Sequence, residues 1–204
     1  MNKKAKTIVT QHELRPEILE KGESPEVNRD ISFFIGFTDK YCNPLETAFL
    51  LLKRLPKERE PWILKEILYR LAKLYKPKEF DLSPIYKLVK HNRWNARSSA
   101  YKALTNSEVD IEPFLIKKIK RPPAKVDICY IIEALMYVGS KNTIPFIEPH
   151  LKNKTDDIRE AAQYAITVIM LRGNETEKEI CLKTKLSSPE IKRLSKELTS
   201  LTRR

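Results

Sequence analysis

The chain of 204 residues carries 39 Lys and Arg against 27 Asp and Glu, a formal charge of +12, and has 4 Gly beside 13 Pro. Few glycines argue against hairpin-rich β architecture and against Gly-rich phosphate loops. The positive balance favours acidic partners (nucleic acid, anionic lipid or an acidic protein surface) and says nothing about fold.

The start "MNKKAKTIVT" is basic but runs into "QHELRPE" instead of an apolar stretch, so a signal peptide is not expected. Apolar residues then recur at helical spacing. Helices are predicted near 11–20, 26–38, 44–55, 61–75, 82–91, 94–105, 111–120, 124–138, 142–153, 155–171, 175–185 and 188–201. Pro44, Pro61, Pro84, Pro113, Pro145 and Pro189 open several of them, where a missing backbone N–H costs nothing. Asp156 and Asp157 place negative charge at the start of "IREAAQYAI". No strand or linker is predicted. Apolar runs such as "AFLLL" are far too short to span a bilayer. Cys42, Cys129 and Cys181 are too scattered for a disulfide framework or metal knuckle, which points to a reducing compartment. A cytoplasmic protein without a membrane span is expected.

Three segments align on a proline: "SPIYKLVKHNRWNARSSAYKAL" from Ser83, "EPFLIKKIKRPPAKVDICYIIEAL" from Glu112 and "IPFIEPHLKNKTDDIREAAQYAI" from Ile144. Each reads as a Pro-led first helix, a basic or polar turn, and a second helix ending in Ala-Leu or Ala-Ile. The recurrence of Pro84, Pro113 and Pro145 matches the period of about 30 residues seen in helical repeat arrays. Arg97, Ala100 and Ala103 have the spacing of Arg159, Ala162 and Ala165, and small alanines let neighbouring helices approach closely.

This pattern resembles the HEAT-repeat family, in which a proline marks the first helix and an aspartate and arginine flank the start of the second. Residues 139–169 match through Pro145, Asp156 and Arg159, and 83–104 through Pro84 and Arg97, without an aspartate before the second helix. In 112–135 Asp127 or Ile128 stands at the arginine position. The resemblance implies an all-α, right-handed α-solenoid of about four to five helix pairs forming a single domain over 1–204. Its clearest repeats are 82–171, its degenerate N-terminal repeats 11–75, and its C-terminal capping pair 175–204. It implies no particular activity.

In such a stack the turns inside the repeats fall along one edge. Here they carry Lys53, Arg54 and Lys57; Lys90 and Arg93; Lys117, Lys118, Lys120, Arg121 and Lys125; and Lys152 and Lys154. These are the candidate partner- or polyanion-binding residues, forming a ridge that suits a phosphate track or an acidic protein surface; the alternative is a solvated loop edge. Tyr69, Tyr101, Tyr130 and Tyr164 place one tyrosine in each second helix, either at the core edge or as contacts on a concave face.

Alkylpurine DNA glycosylases are HEAT-like, basic and of similar length, and use an aspartate in a cleft beside aromatic residues. Trp62 and Trp94 are expected to pack at helix starts and show no such aspartate partner. His12, His91 and His150 form no metal pair, with His91 in a basic turn and His150 on a first helix. Cys129 is expected to be an inert core thiol. The segment 176–201 resembles a helix-turn-helix, with Lys185 at the turn position usually held by glycine and 187–193 opening a recognition helix. The alternative is a cap with Leu194, Leu198 and Leu201 turned inward. A non-enzymatic scaffold needing no cofactor is expected, binding a protein with an acidic surface. DNA or RNA binding is the alternative, and a glycosylase is weaker still.

Overall fold

A computed structural model of the chain describes residues 14–202, with side chains to 198. Residues 1–13, which include His12 and the start of the first predicted helix, and the side chain of Leu201 lie outside the described residues. Within them the chain is all-helical. The helices are α1 (Pro16–Gly22), α2 (Pro25–Asn28), α3 (Ile31–Tyr41), α4 (Pro44–Arg54), α5 (Pro61–Lys73), α6 (Ser83–Leu88) and α7 (Trp94–Leu104). They continue as α8 (Glu112–Lys120), α9 (Asp127–Val138), α10 (Ile144–Ile147), α11 (Asp156–Arg172), α12 (Glu177–Thr184) and α13 (Ser188–Thr202).

Two predicted helices come apart, each for a local reason. The span 26–38 breaks between α2 and α3 because the Asp30 carboxylate accepts the Phe33 N–H at 3.0 Å and caps a new helix. The span 142–153 holds only four α-helical residues, α10, between two 3₁₀ turns. Pro149 follows Pro145 by four residues and has no N–H to continue the ladder. Elsewhere the prolines open helices as expected. At α4 a reciprocal Asn43–Glu46 capping box stands just before and inside Pro44. Arg15 donates to buried Glu46 through its backbone N (3.0 Å), Nε (2.8 Å) and Nη2 (2.7 Å), fastening the start of α1 to α4. These bonds hold the Glu46 carboxylate down to about 2.

Each short or Pro-led helix packs on the longer one that follows: α4 on α5, α6 on α7, α8 on α9, α10 on α11. The longer helices then contact one another in series, α5 with α7, α7 with α9, and α9 with α11. Ala100, Ala103, Ala162 and Ala165 are fully buried in these contacts, where their small side chains permit close approach. A single apolar core runs from Ile31 to Ile191.

Polar ties cross between pairs at fixed places. The buried guanidinium of Arg97 on α7 donates Nε to both carboxylate oxygens of Asp127 on α9, at 3.0 and 2.9 Å. Its Nη1 meanwhile donates to the carbonyls of His91 (2.8 Å) and Asn92 (2.9 Å). Asp127 also accepts the Ala124 N–H at 3.1 Å, closing the turn before α9. The sequence pattern left Asp127 at an arginine position; the structure makes it the acceptor for the preceding pair's arginine. Arg172 donates to the carbonyls of Met136, Tyr137 and Gly139 at the end of α9. Glu112 on α8 accepts from the Ser140 N–H and hydroxyl and from the Thr143 hydroxyl.

Lys76 makes the tie between the α5 and α7 ends. It is fully buried, its Nζ donating to the carbonyls of Leu71 (2.7 Å) and Leu74 (2.6 Å). Its backbone pairs with Asn106 and Glu108 as an isolated parallel bridge, the one strand-like feature of the described residues. Burial pushes its ammonium down to about 7.

Two stability predictions follow from these ties. Asp127→Ala strands a buried guanidinium and should cost about 3–5 kcal/mol, read from urea unfolding midpoints. For Lys76, the unfolded side chain stays protonated to about 10.4 while the folded one loses its proton near 7. The unfolded state therefore binds more protons in that window, and this group makes stability rise with pH above 7, by on the order of 1 kcal/mol per unit. Urea midpoints between about pH 7 and 8.5 should show this slope in the parent protein and lack it in Lys76→Met; equal slopes would refute the assignment.

Candidate functional site

The side-by-side packing of α7, α9 and α11 leaves a groove of about 1050 Å³ along their outer faces. Helical periodicity sets its lining. On α9 it is Tyr130, Glu133 and Tyr137, and on α11 Asp157, Glu160 and Tyr164, each trio at i, i+3 and i+7 and so on one face. Lys102 from α7 and Lys125 from the turn before α9 also line it. The lining thus carries both signs, with Lys102 on α7, Lys125 just before α9, and three carboxylates on α9 and α11. Tyr130 and Tyr164 are half-buried and Tyr137 is exposed, leaving aromatic surface open to a ligand.

The tyrosines predicted as a set divide. Tyr101 is fully buried, its hydroxyl without a hydrogen-bond partner and its phenol pushed up by burial and by the Asp127 carboxylate. Tyr69 is exposed, with the Lys73 ammonium 3.8 Å from its ring centre. Trp62 and Trp94 do not pack into helix starts as expected; they are 59% and 55% exposed. The reason for Trp94 is visible: its indole stacks on Tyr130 with centroids 5.9 Å apart and planes at 9°, extending the aromatic edge of the groove. Asp127, the carboxylate at the start of α9, is spent on Arg97.

Cys129 lies in this groove and not in the core. Its Sγ sits 3.7 Å from the Glu133 carboxylate and from the Asp157 carbonyl. Burial, then the Glu133 charge, push the thiol up to about 11, so it stays protonated and un-nucleophilic at neutral pH. The lining carboxylates Glu133 and Glu160 and the exposed Tyr137 were not singled out by the sequence pattern, and Asp157 was read only as helix-start charge. The signal available was their i, i+3, i+7 spacing on the polar face of two helices.

The predicted basic residues also divide. Arg54 is turned inward and buried: its Nε donates to Glu58 at 2.6 Å, its Nη1 to Asn28 at 3.3 Å, and its guanidinium covers the Phe34 ring. It is the last residue of α4, on the stripe that faces the core, so it is structural. Lys53 is exposed and pairs loosely with Glu23 at 3.7 Å. Lys57, Lys90, Arg93, Lys117, Lys120, Arg121, Lys125, Lys152 and Lys154 are exposed. Lys118 is half-buried, and its ammonium is pushed down by burial and by the neighbouring charges of Lys90 and Lys117. Cations of two successive helix pairs therefore lie close together, while Lys125 joins the groove.

His91 accepts the Arg93 N–H on Nδ1 at 3.2 Å, within the basic turn. His150 is half-buried, and burial lowers its pKa. Among the described residues no group of His, Cys, Asp and Glu could hold a metal ion, and no helix is long and apolar enough to cross a membrane. At the C-terminal end α12 and α13 both pack on α11, with Ile180, Leu186 and Ile191 buried. Lys185, between them, adopts φ 63°, the left-handed conformation that favours glycine.

No family model, curated protein or solved structure matches the chain.

The Cys129 environment gives a reporter for the groove. Iodoacetamide should alkylate it at least roughly tenfold more slowly at pH 7.5 than in the urea-unfolded chain, since its thiolate is scarce in the fold. Equal rates, followed by mass spectrometry, would place Cys129 in a different environment.

Proposed function

We propose that the chain is a right-handed, HEAT-like α-solenoid of about four to five helix pairs, closed by α12 and α13. In this reading it is a non-enzymatic scaffold that holds a protein partner along the concave face formed by the longer helices. The carrying observation is the groove across α7, α9 and α11, where open tyrosine faces stand among fixed charges of both signs. Aromatic rings supply contact area at low entropic cost, and the flanking charges set register. The cations around Lys90, Lys117 and Lys118 would attract an acidic part of the same partner and speed encounter.

The test places a photo-crosslinking residue at Tyr137 in the full chain. A protein segment should be captured, with yield falling at least tenfold when Tyr130 and Tyr164 are both changed to Ala. Undiminished capture in that variant sinks the groove as the site.

The cluster of Lys90, Lys117 and Lys118 supports a second reading, binding of nucleic acid through phosphate contacts, and the left-handed Lys185 between α12 and α13 suits the helix-turn-helix variant of it. This reading predicts binding to a mixed-sequence DNA duplex or single-stranded RNA that weakens steeply with salt and is lost in K117E/K118E/K120E/R121E. Asp157 lies in the same groove as Tyr130 and Tyr164, so base excision that is lost in Asp157→Asn would favour the glycosylase form.

A further inference from the structure

Helix α3 has an outer face that the other described residues leave open. Its inner face buries Ile31, Phe34, Phe37 and Thr38. Its outer stripe carries Ser32, Phe33, Gly36, Lys40 and Tyr41 at i, i+1, i+4, i+8 and i+9, with Phe33 52% and Tyr41 45% exposed. The stripe forms one wall of an open groove of about 850 Å³, bordered by Lys21, by α2 and by Arg29 just after it.

Gly36 is the informative residue. Glycine is a poor helix former, second only to proline, and this one sits in the middle of an eleven-residue helix. At Gly22 a Cβ would crowd the buried Leu50 side chain at 2.5 Å, so the packing there favours glycine. At Gly36 a Cβ would meet nothing within 4 Å. Nothing among the described residues fills or requires the space that the missing side chain leaves.

The surroundings state what kind of occupant suits that space. Arg29 lies 3.9 Å from the Phe33 ring centre, and Lys21 and Lys40 lie 5.5 and 5.0 Å from that of Tyr41. None of these three cations forms an ion pair with a described residue, and among the described residues Glu26 is the one acid lining the groove. A second copy of the chain would set these cations against their own kind, which disfavours self-association. An exposed aromatic stripe with a small residue at its centre matches the groove in which a helix docks by its apolar face, and the cationic rim calls for flanking carboxylates.

We propose that this face of α3 docks an acidic amphipathic helix of a partner protein, its backbone crossing close over Gly36. Phe33 and Tyr41 would supply the apolar contacts, and Lys21, Arg29 and Lys40 would pair with its carboxylates. The site is on a different helix from the α7–α9–α11 groove and does not depend on that groove's role.

The test selects from a display library of amphipathic helical peptides on the immobilised full chain, with the Gly36→Trp variant for counter-selection. Enriched peptides should carry an excess of Asp and Glu beside an apolar stripe. Their affinity, by fluorescence anisotropy, should fall at least tenfold in Gly36→Trp and in K21E/R29E/K40E. Gly36→Ala should raise the Tm of the free protein, and circular dichroism should show Gly36→Trp still helical. Enrichment of neutral or basic peptides, or affinity unchanged in Gly36→Trp, would overturn the proposal. So would a dimer by sedimentation that Gly36→Trp disrupts, since that would make the occupant a second copy. Binding to phosphatidylserine vesicles, lost in the same variant and without peptide enrichment, would make the face a lipid contact instead.

Discussion

The Arg97–Asp127 ion pair is the interaction on which the middle of the molecule depends. Helix pairs joined only by short turns have no sheet ladder to fix their spacing, and apolar packing alone lets one pair slide on the next. A charge pair buried on both sides resists such sliding, because a small displacement leaves an unpaired charge in a low-dielectric interior. One guanidinium here fixes three things: the helix it belongs to, the turn before that helix through two carbonyls, and the next pair through Asp127. Asp127 in turn closes its own turn by accepting the Ala124 N–H. The registration of α7 against α9 is therefore set at their starts, and the groove that opens across their outer faces inherits its width from it.

The same device recurs at the other ends of the helices with different chemistry. Arg172 meets the last carbonyls of α9, and buried Lys76 those of α5. Carbonyls at a helix C-terminus carry partial negative charge and lack intrahelical partners, so a cation brought from elsewhere satisfies both conditions together. Lys76 shows what this costs, since its ammonium is pushed down by burial and has only carbonyls to hold it. At 112–120 the tie is reversed: the Glu112 carboxylate collects donors from the turn at Ser140 and Thr143.

Much of the fold was legible because its signals are local. Prolines at first turns, alanines at i, i+3 and apolar residues at helical period depend on the nearest few residues, and the helices follow them closely. The two failures, at Asp30 and at Pro149, are cases where a residue compatible with a helix also offers a better way to end one. The site was less legible because exposure is decided by partners distant in sequence. Arg54 and Lys53 are adjacent in a basic run, yet one turns inward onto Phe34 and Glu58 while the other faces solvent. Trp94 was expected at a packed helix start and lies stacked on Tyr130, thirty-six residues later, because α7 and α9 are neighbours only in space.

Gly36 and the groove across α7, α9 and α11 share a physical logic that composition hides. A formal charge of +12 suggests a uniformly basic surface, but charge acts where it is left uncompensated. Beside α3 three cations lie against exposed aromatic rings, with Glu26 the one acid among the described lining residues; across α9 and α11 three carboxylates gather among tyrosines. In the α3 groove a field of one sign stands beside apolar surface, a combination that costs the isolated protein hydration without returning packing. Each aromatic ring left open there, and the glycine that weakens its helix, is stability the fold could have had and does not use. A surface that gives up stability in the same place three times, through Phe33, Gly36 and Tyr41, is better explained by an outside partner than by the demands of the fold.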